Sequence, residues 1–295
     1  MRALLIRILA VSLILAAPAL ASDLLIVQSV RDNGYNEVLS GFKKSCEAKS
    51  RVVVLADYSE VDIVRIVQEE QPAAILAMGE TALTVVKKVR RVPVISLMSL
   101  GLSMGKSIPA NVTGVGMVIP SEQYMALFKA LRLRRIGVVY DPARSGDYLK
   151  RARQAAARAG IELVLREVHN PRETPGQLTS LKGRVDALWL LPDSTAVTQE
   201  TVDAYFYFSI EEGKPVIAFS GVYLSLGAAA SLEIDRFEMG KQAGEMANLL
   251  LNGSSPDSIP FHAPRTIFLK TNRSVTRKLD LNLRNLETLP FTWRN

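Results

Sequence analysis

The sequence predicts an α/β protein built as two doubly wound, parallel-sheet lobes. Two observations lead there. Short apolar runs without polar alternation recur along the 295 residues, and helical patterns follow most of them. Strand-helix repetition at this spacing makes a parallel sheet covered on both faces. The series then begins again near residue 135, giving two similar halves in succession.

In the first half, Leu24–Val27 precedes a helix over about 36–49, Arg51–Ala56 one over about 60–70, and Ala73–Ala77 one over about 81–90. Val92–Leu97 ends in a Gly/Ser loop, and Asn111–Val118 reads as a strand ending at Ile119-Pro120 before a helix over 121–131. The second half opens with Arg135–Tyr140, a helix over about 147–159, a strand at Ile161–Arg166 and a helix near 176–181. Asp186–Leu191 then stops at Pro192-Asp193-Ser194 and gives way to a long helical pattern. Asp193, Ser194 and Thr195 are N-cap residue types, so a helix start is expected directly after this strand. The order repeats at Lys214–Phe219 with Ser220-Gly221 behind it. After Ala228–Ser231, Asp235–Gly240 starts another helix, and Arg265–Leu269 is the final strand.

Residues 1–21 carry Arg2 and Arg7, an apolar run from Ile8 to Ala17, and Ala19-x-Ala21. That is a secretory signal, cleaved after Ala21. The apolar run is shorter than the roughly 20 residues a membrane span needs, so an exported, periplasmic chain of about 274 residues in two domains is expected. The net charge of +7 is dispersed, without the aromatic interleaving of a nucleic-acid platform. The single cysteine, Cys46, has no partner for a disulfide and reads as packing. His169 and His262 are far apart and lack clustered acids or cysteines, which argues against a transition-metal site. Gly114-x-Gly116 lacks the third glycine and the helix of a dinucleotide fingerprint, and no phosphate-binding loop is present, so no cofactor is expected. The aromatic run Tyr205–Phe208 falls in mid-helix and is assigned to packing.

An ordered set of segments carries a family resemblance: Val185-Asp186-Ala187-Leu188 with Pro192-Asp193-Ser194-Thr195, then Lys214-Pro215-Val216-Ile217-Ala218, then Asp235-x4-Gly240-x2-Ala243. Asn111–Gly114, Arg135–Pro142 and the segment from Pro260 to Asn272 also fit. The chain resembles the substrate-binding proteins of ABC transporters, of the tryptophan/tyrosine type, with a type I periplasmic-binding-protein-like fold. The resemblance implies a multi-crossing hinge. Its N-terminal lobe would take residues 22–118 plus about 236–262, and its C-terminal lobe 119–235 plus about 263–295. It also implies a monomer that closes on a small polar ligand, amino-acid-like or aromatic, and hands it to a membrane permease. A sensing protein of the same fold, without transport, is the alternative.

In open parallel sheets, ligands sit outside the carboxyl ends of the strands. With two such lobes face to face, the polar residues after each strand are the binding candidates: Gln28, Ser29, Gly79, Glu80, Thr81, Ser99, Asp193, Ser194, Ser220 and Asp235. Thr81 and Asp193 stand out because each is expected at a helix start, where amides and the helix dipole hold a ligand carboxylate or a bound water; the Asp193 carboxylate would equally hold a ligand ammonium, and helix capping is the competing role. One departure concerns the loop after the fourth strand, where relatives carry Thr-Asp-Pro and this chain has Leu100-Gly101-Leu102.

Gly101-x-Ser103-x-Gly105 matches a nucleophile elbow, with Asp235 and His262 downstream in hydrolase order. An elbow needs a helix immediately after its serine, and Pro109 makes the following segment read as loop. Binding without catalysis is therefore expected, and a serine hydrolase using Ser103 is the remote alternative.

Overall fold

A computed structural model describes residues 23–103 and 108–293; the export segment expected over residues 1–21 lies outside them. The first sheet contains β1 (Leu24–Gln28), β2 (Ser50–Val54), β3 (Ala74–Met78), β4 (Val94–Leu97) and β5 (Val112–Gly114) in the order β2-β1-β3-β4-β5, all parallel. Between its strands run α1 (Asn33–Ser45), α2 (Ile63–Glu70), α3 (Glu80–Val86) and the short α4 (Leu100–Ser103). Leu24, Leu25, Ile26 and Val27 are all fully buried. A strand covered on both faces has no use for polar alternation, which is why β1 reads as one apolar run.

The second sheet is larger, and α5 (Ser121–Ala130) leads into it. Its strands β6 (Arg135–Tyr140), β7 (Glu162–Glu167), β8 (Ala187–Trp189), β9 (Val216–Ala218) and β10 (Ala230–Ile234) lie in the order β7-β6-β8-β9-β10, repeating the winding of the first sheet. The helices α6 (Pro142–Ala159), α7 (Thr174–Thr179), α8 (Val202–Glu212) and α9 (Val222–Ser225) connect them. Next in the chain are α10 (Arg236–Leu251), β11 (Ile267–Thr271), α11 (Arg273–Lys278) and β12 (Thr292–Trp293), with β11 and β12 extending the second sheet.

The second sheet is not wholly parallel: β11 pairs antiparallel to β10, with Leu232 opposite Leu269. The chain's route explains the reversal. β10 runs toward the other lobe, and the chain leaves from its end at Ile234. It packs α10 beside the first sheet, where Met239, Ala243 and Met246 join Leu24, Val38 and Phe42 in one core. Residues 259–262 then lie along β5, with Thr113 Oγ1 donating to the Ile259 carbonyl at 2.7 Å and the His262 amide to Gly114 at 2.9 Å. Returning from that side, β11 can only run back against β10. The chain thus passes between the lobes three times, near 115–120, at 234–236 and at 263–266.

Two helix starts differ from the sequence expectation. Pro142 is pre-organised for a first helical turn and Asp141 caps the Ala143 amide at 2.9 Å, so α6 begins five residues earlier than the periodicity suggests. No helix follows Pro192 directly. Residues 192–201 form turns, and α8 begins only at Val202. Tyr205, Phe206 and Phe208 are core residues while Tyr207 is 69% exposed, so the aromatic run is packing, as expected. Cys46 is buried at the end of α1.

The contact between α1 and α10 is made backbone to backbone. A Cβ on Gly240 would come within 1.9 Å of the Val38 carbonyl oxygen, and one on Gly41 within 1.9 Å of the Phe237 carbonyl oxygen. Gly240→Ala must push the helices apart, and a loss of about 1–3 kcal/mol is expected, the usual range for overpacking. Urea unfolding measures it; an unchanged midpoint would mean that the two helices are not in such close contact.

Candidate functional site: the interlobe cleft

The carboxyl ends of both sheets face a cleft that two chambers divide. Leu100 from the first lobe and Pro192 from the second line both chambers and mark the division. The hinge-side chamber, about 330 Å³, is bounded by the crossing residues Met117, Val118, Ile119 and Ile234. Its second-lobe wall is aromatic, with Tyr124, Tyr148, Phe219 and Phe268. The mouth-side chamber is larger and more open, about 640 Å³, with Ser29, Tyr35, Glu80 and Thr81 on one wall and Ala143, Arg144, Asp147 and Ser194 on the other.

The first-lobe wall is a bonded unit. The Ser29 hydroxyl accepts the Ala82 amide at 2.9 Å and so caps α3 from outside the helix. Gly79, at φ 97°, precedes it in a conformation L side chains avoid, and a Cβ there would strike the Tyr35 hydroxyl at 2.2 Å. Burial pushes the Tyr35 phenol above its usual range, and its hydrogen bond with Ser29 works against that rise. Glu80 accepts the Ser99 hydroxyl at 2.5 Å and the Gly101 amide at 3.1 Å, tying the start of α3 to the start of α4, the short helix that begins at Leu100 where a loop was expected. Ser99 is therefore buried beneath Glu80, and Gln28 is buried with its amide toward Met78 sulfur. Thr81 and Glu80 are exposed to the chamber.

On the second lobe, Asp193 is 1% exposed and fully engaged. One oxygen accepts the Thr195 and Ala196 amides at 3.0 and 2.9 Å; the other accepts the Asp141 amide at 2.9 Å and the Ser145 hydroxyl at 2.6 Å. Asp193 thus closes a turn and ties the end of β8 to the start of α6. The amides expected to be open to an anion at 193–195 are thus taken by Asp193 itself, in the capping role, and the turn it caps does not continue into a helix, since α8 starts only at Val202. Ser194, next in the chain, is exposed in the mouth-side chamber, and Ser220 lines the hinge-side one. Asp235 caps α10 by accepting the Glu238 amide at 3.0 Å and lines neither chamber.

Sequence reasoning missed Arg144, Asp147, Tyr35 and the Glu233–Lys270 pair. Arg144 and Asp147 reach the cleft only because α6 starts early. Glu233 accepts the Ser231 hydroxyl at 2.9 Å and Lys270 Nζ at 2.9 Å, a neutralised pair on the floor of the hinge-side chamber. Their register depends on the antiparallel β10–β11 pairing, which strand periodicity did not reveal.

Among the described residues, no group of three His, Cys, Asp or Glu residues is placed to hold a metal, and no helix is long and apolar enough to cross a membrane. In the hydrolase alternative, Ser103 ends α4 instead of opening a helix, Asp235 is occupied by its cap, and His262 lies in the strand-like segment beside Val115. Met104 to Ser107, within that motif and its following loop, lie outside the described residues.

Two α/β lobes with a cleft between their strand ends, joined by three passages of the chain, define the type I periplasmic binding protein fold. The chain belongs to the ABC transporter substrate-binding protein family, whose model matches residues 9–288. It is 24% identical over 185 residues to a tyrosine-binding protein of Clostridioides difficile (strain R20291), a match covering 61% of this chain and 53% of that protein. The chain thus aligns with about half the length of that curated relative. Among solved structures, it shares the fold of a ligand-free, open substrate-binding protein with adhesive properties from Clostridium difficile (TM-score 0.72, 18% identity, 92% of this chain and 99% of that one). It also shares the fold of an ABC domain in complex with L-Trp from Streptococcus pneumonia (TM-score 0.62, 20% identity, 92% and 99%).

If Asp193 is a structural tie, Asp193→Ala removes four accepted hydrogen bonds and destabilises the unliganded protein by about 2–4 kcal/mol, since bonds to a buried charged group contribute most. Thermal or urea unfolding measures this. Unchanged stability of the free protein would show that the carboxylate is not holding β8 to α6.

Proposed function

We propose that this chain is the exported solute-binding component of an ABC importer, closing its two lobes on an amino-acid-like or aromatic solute and delivering it to a membrane permease. The observation that carries this reading is the cleft itself: its walls come from different lobes, and three chain passages near its hinge-side end form the connection. Such a site favours closure, because a ligand touching both walls binds the closed state more tightly than the open one. The aromatic wall of the hinge-side chamber suits a flat apolar group, and the charged, hydroxyl-bearing mouth suits a polar head group. The names of the tyrosine-binding relative and the L-Trp-bound structural neighbour agree with such a ligand.

In this reading Ser29, Glu80, Thr81, Ser194 and Ser220 are wall residues within reach of solute. Ser99 and Asp193 hold those walls in place, and Asp235 fixes the second crossing. The lobes divide near residues 118, 235 and 262, and those joints are the hinge. In this reading residues 1–21 act as an export signal cleaved after Ala21, and the mature chain works in the periplasm as a monomer.

Thermal shift on the mature chain is the test. A solute present at 100 times its dissociation constant adds about 2.7 kcal/mol of stability. L-tryptophan, L-tyrosine and related aromatic acids are expected to raise the melting temperature in a concentration-dependent way. No shift with any amino acid or aromatic acid would refute the ligand class.

A further inference from the structure

Among the described residues, three charged side chains line the mouth-side chamber: Glu80 on the first lobe, and Arg144 and Asp147 on the second. Arg144 is the one cation among these described residues. It stands exposed on the first turn of α6, and its guanidinium makes no hydrogen bond or ion pair among the described residues. The backbone around it offers an anion little. Pro142 has no N–H, the Ala143 amide is taken by Asp141 Oδ1, and the Arg144 and Ser145 amides are both taken by the Asp141 carbonyl at 2.9 Å. The Thr195 and Ala196 amides, on the neighbouring turn, are taken by Asp193.

Behind this wall, moreover, two carboxylates are buried side by side. Asp141 is 7% exposed and Asp193 1%, bridged by the Asp141 amide on Asp193 and joined by Thr195 Oγ1 on Asp141 Oδ2 at 2.7 Å. A bound anion would therefore face acidic surroundings unless a cation stood in front of them. In the hinge-side chamber, Lys270 is already neutralised by Glu233. That leaves Arg236, exposed at the start of α10, as the rival cation.

From this placement we infer that Arg144 is the carboxylate anchor of the cleft, holding the ligand's acid group from the second lobe. A guanidinium presents paired N–H donors that match a carboxylate's two oxygens. The ligand class that follows is an aromatic acid whose ring lies toward Tyr124, Tyr148 and Phe268 and whose carboxylate lies at the mouth. The polarity of the ligand in the cleft is thereby set: ring toward the hinge, acid toward solvent. The inference rests on the proposed ligand class and adds to it a residue and an orientation.

Calorimetric titration of the mature chain with L-tyrosine and L-tryptophan, and with tyramine and tryptamine, which lack the carboxylate, separates the outcomes. Arg144→Ala is expected to weaken binding of the amino acids by about 10-fold or more, the usual consequence of losing a charged hydrogen bond. It is expected to leave tyramine and tryptamine affinities within about two-fold of the wild type and the unliganded melting temperature unchanged, with Arg144→Lys recovering part of the loss. If Arg144→Ala binds the amino acids as the wild type does, or if Arg236→Ala alone causes the loss, the inference is overturned while the binding function stands. If the wild type binds neither amino acid, the ligand class fails and the inference falls with it.

Discussion

The structure depends on the approach of α1 to α10. Gly41, Gly240 and Gly244 remove the side chains that would hold these helices apart, so that carbonyls of one lie against glycines of the other. That contact draws residues 236–251 out of the second lobe and onto the first sheet, beside the core of Leu24, Val38 and Phe42. Once α10 is there, the chain must return, and the return forces β11 to run antiparallel to β10. Three passages between the lobes follow, and with them a hinge that constrains the lobes more than a single linker does.

The cleft inherits its shape from that arrangement. Its hinge-side chamber is bounded by two of the crossing segments and by β11, so the Glu233–Lys270 pair and the aromatic wall exist only because β10 and β11 are neighbours. Its mouth is shaped by two rigid ties. Glu80 holds the start of α4 to α3, and Asp193 holds the end of β8 to α6. Both ties use carboxylates whose hydrogen bonds lie within one lobe, so each wall is formed before any ligand arrives. In the proposed closure, pre-organised walls leave lobe motion as the main change.

Most strands and the repeat of the fold were legible in the sequence, because strands buried on both faces leave unbroken apolar runs such as Leu24–Val27 and Arg135–Tyr140. The candidate site was legible on the first lobe and, on the second, at Ser194 and Ser220. Ser29, Glu80 and Thr81 follow their strands directly, and local pattern finds such residues. On the second lobe the same rule pointed to Asp193, but Asp193 bonds to Asp141 and Ser145, about fifty residues away in sequence, and no local pattern carries that. The early start of α6 had a signal in Asp141-Pro142, an N-cap residue followed by a proline suited to the first turn. Read that way, it would have placed Arg144 at the cleft. The antiparallel β11 had none, since strand direction depends on where the chain has been.

The central claim is that one ligand, held by both walls, closes the lobes about the three-stranded hinge. Small-angle X-ray scattering of the mature chain, with and without a saturating aromatic amino acid, tests it most directly. Closure predicts a smaller radius of gyration in the liganded sample, with the scattering of one compact monomer in both. A ligand that binds at saturation and leaves the radius of gyration unchanged would contradict it.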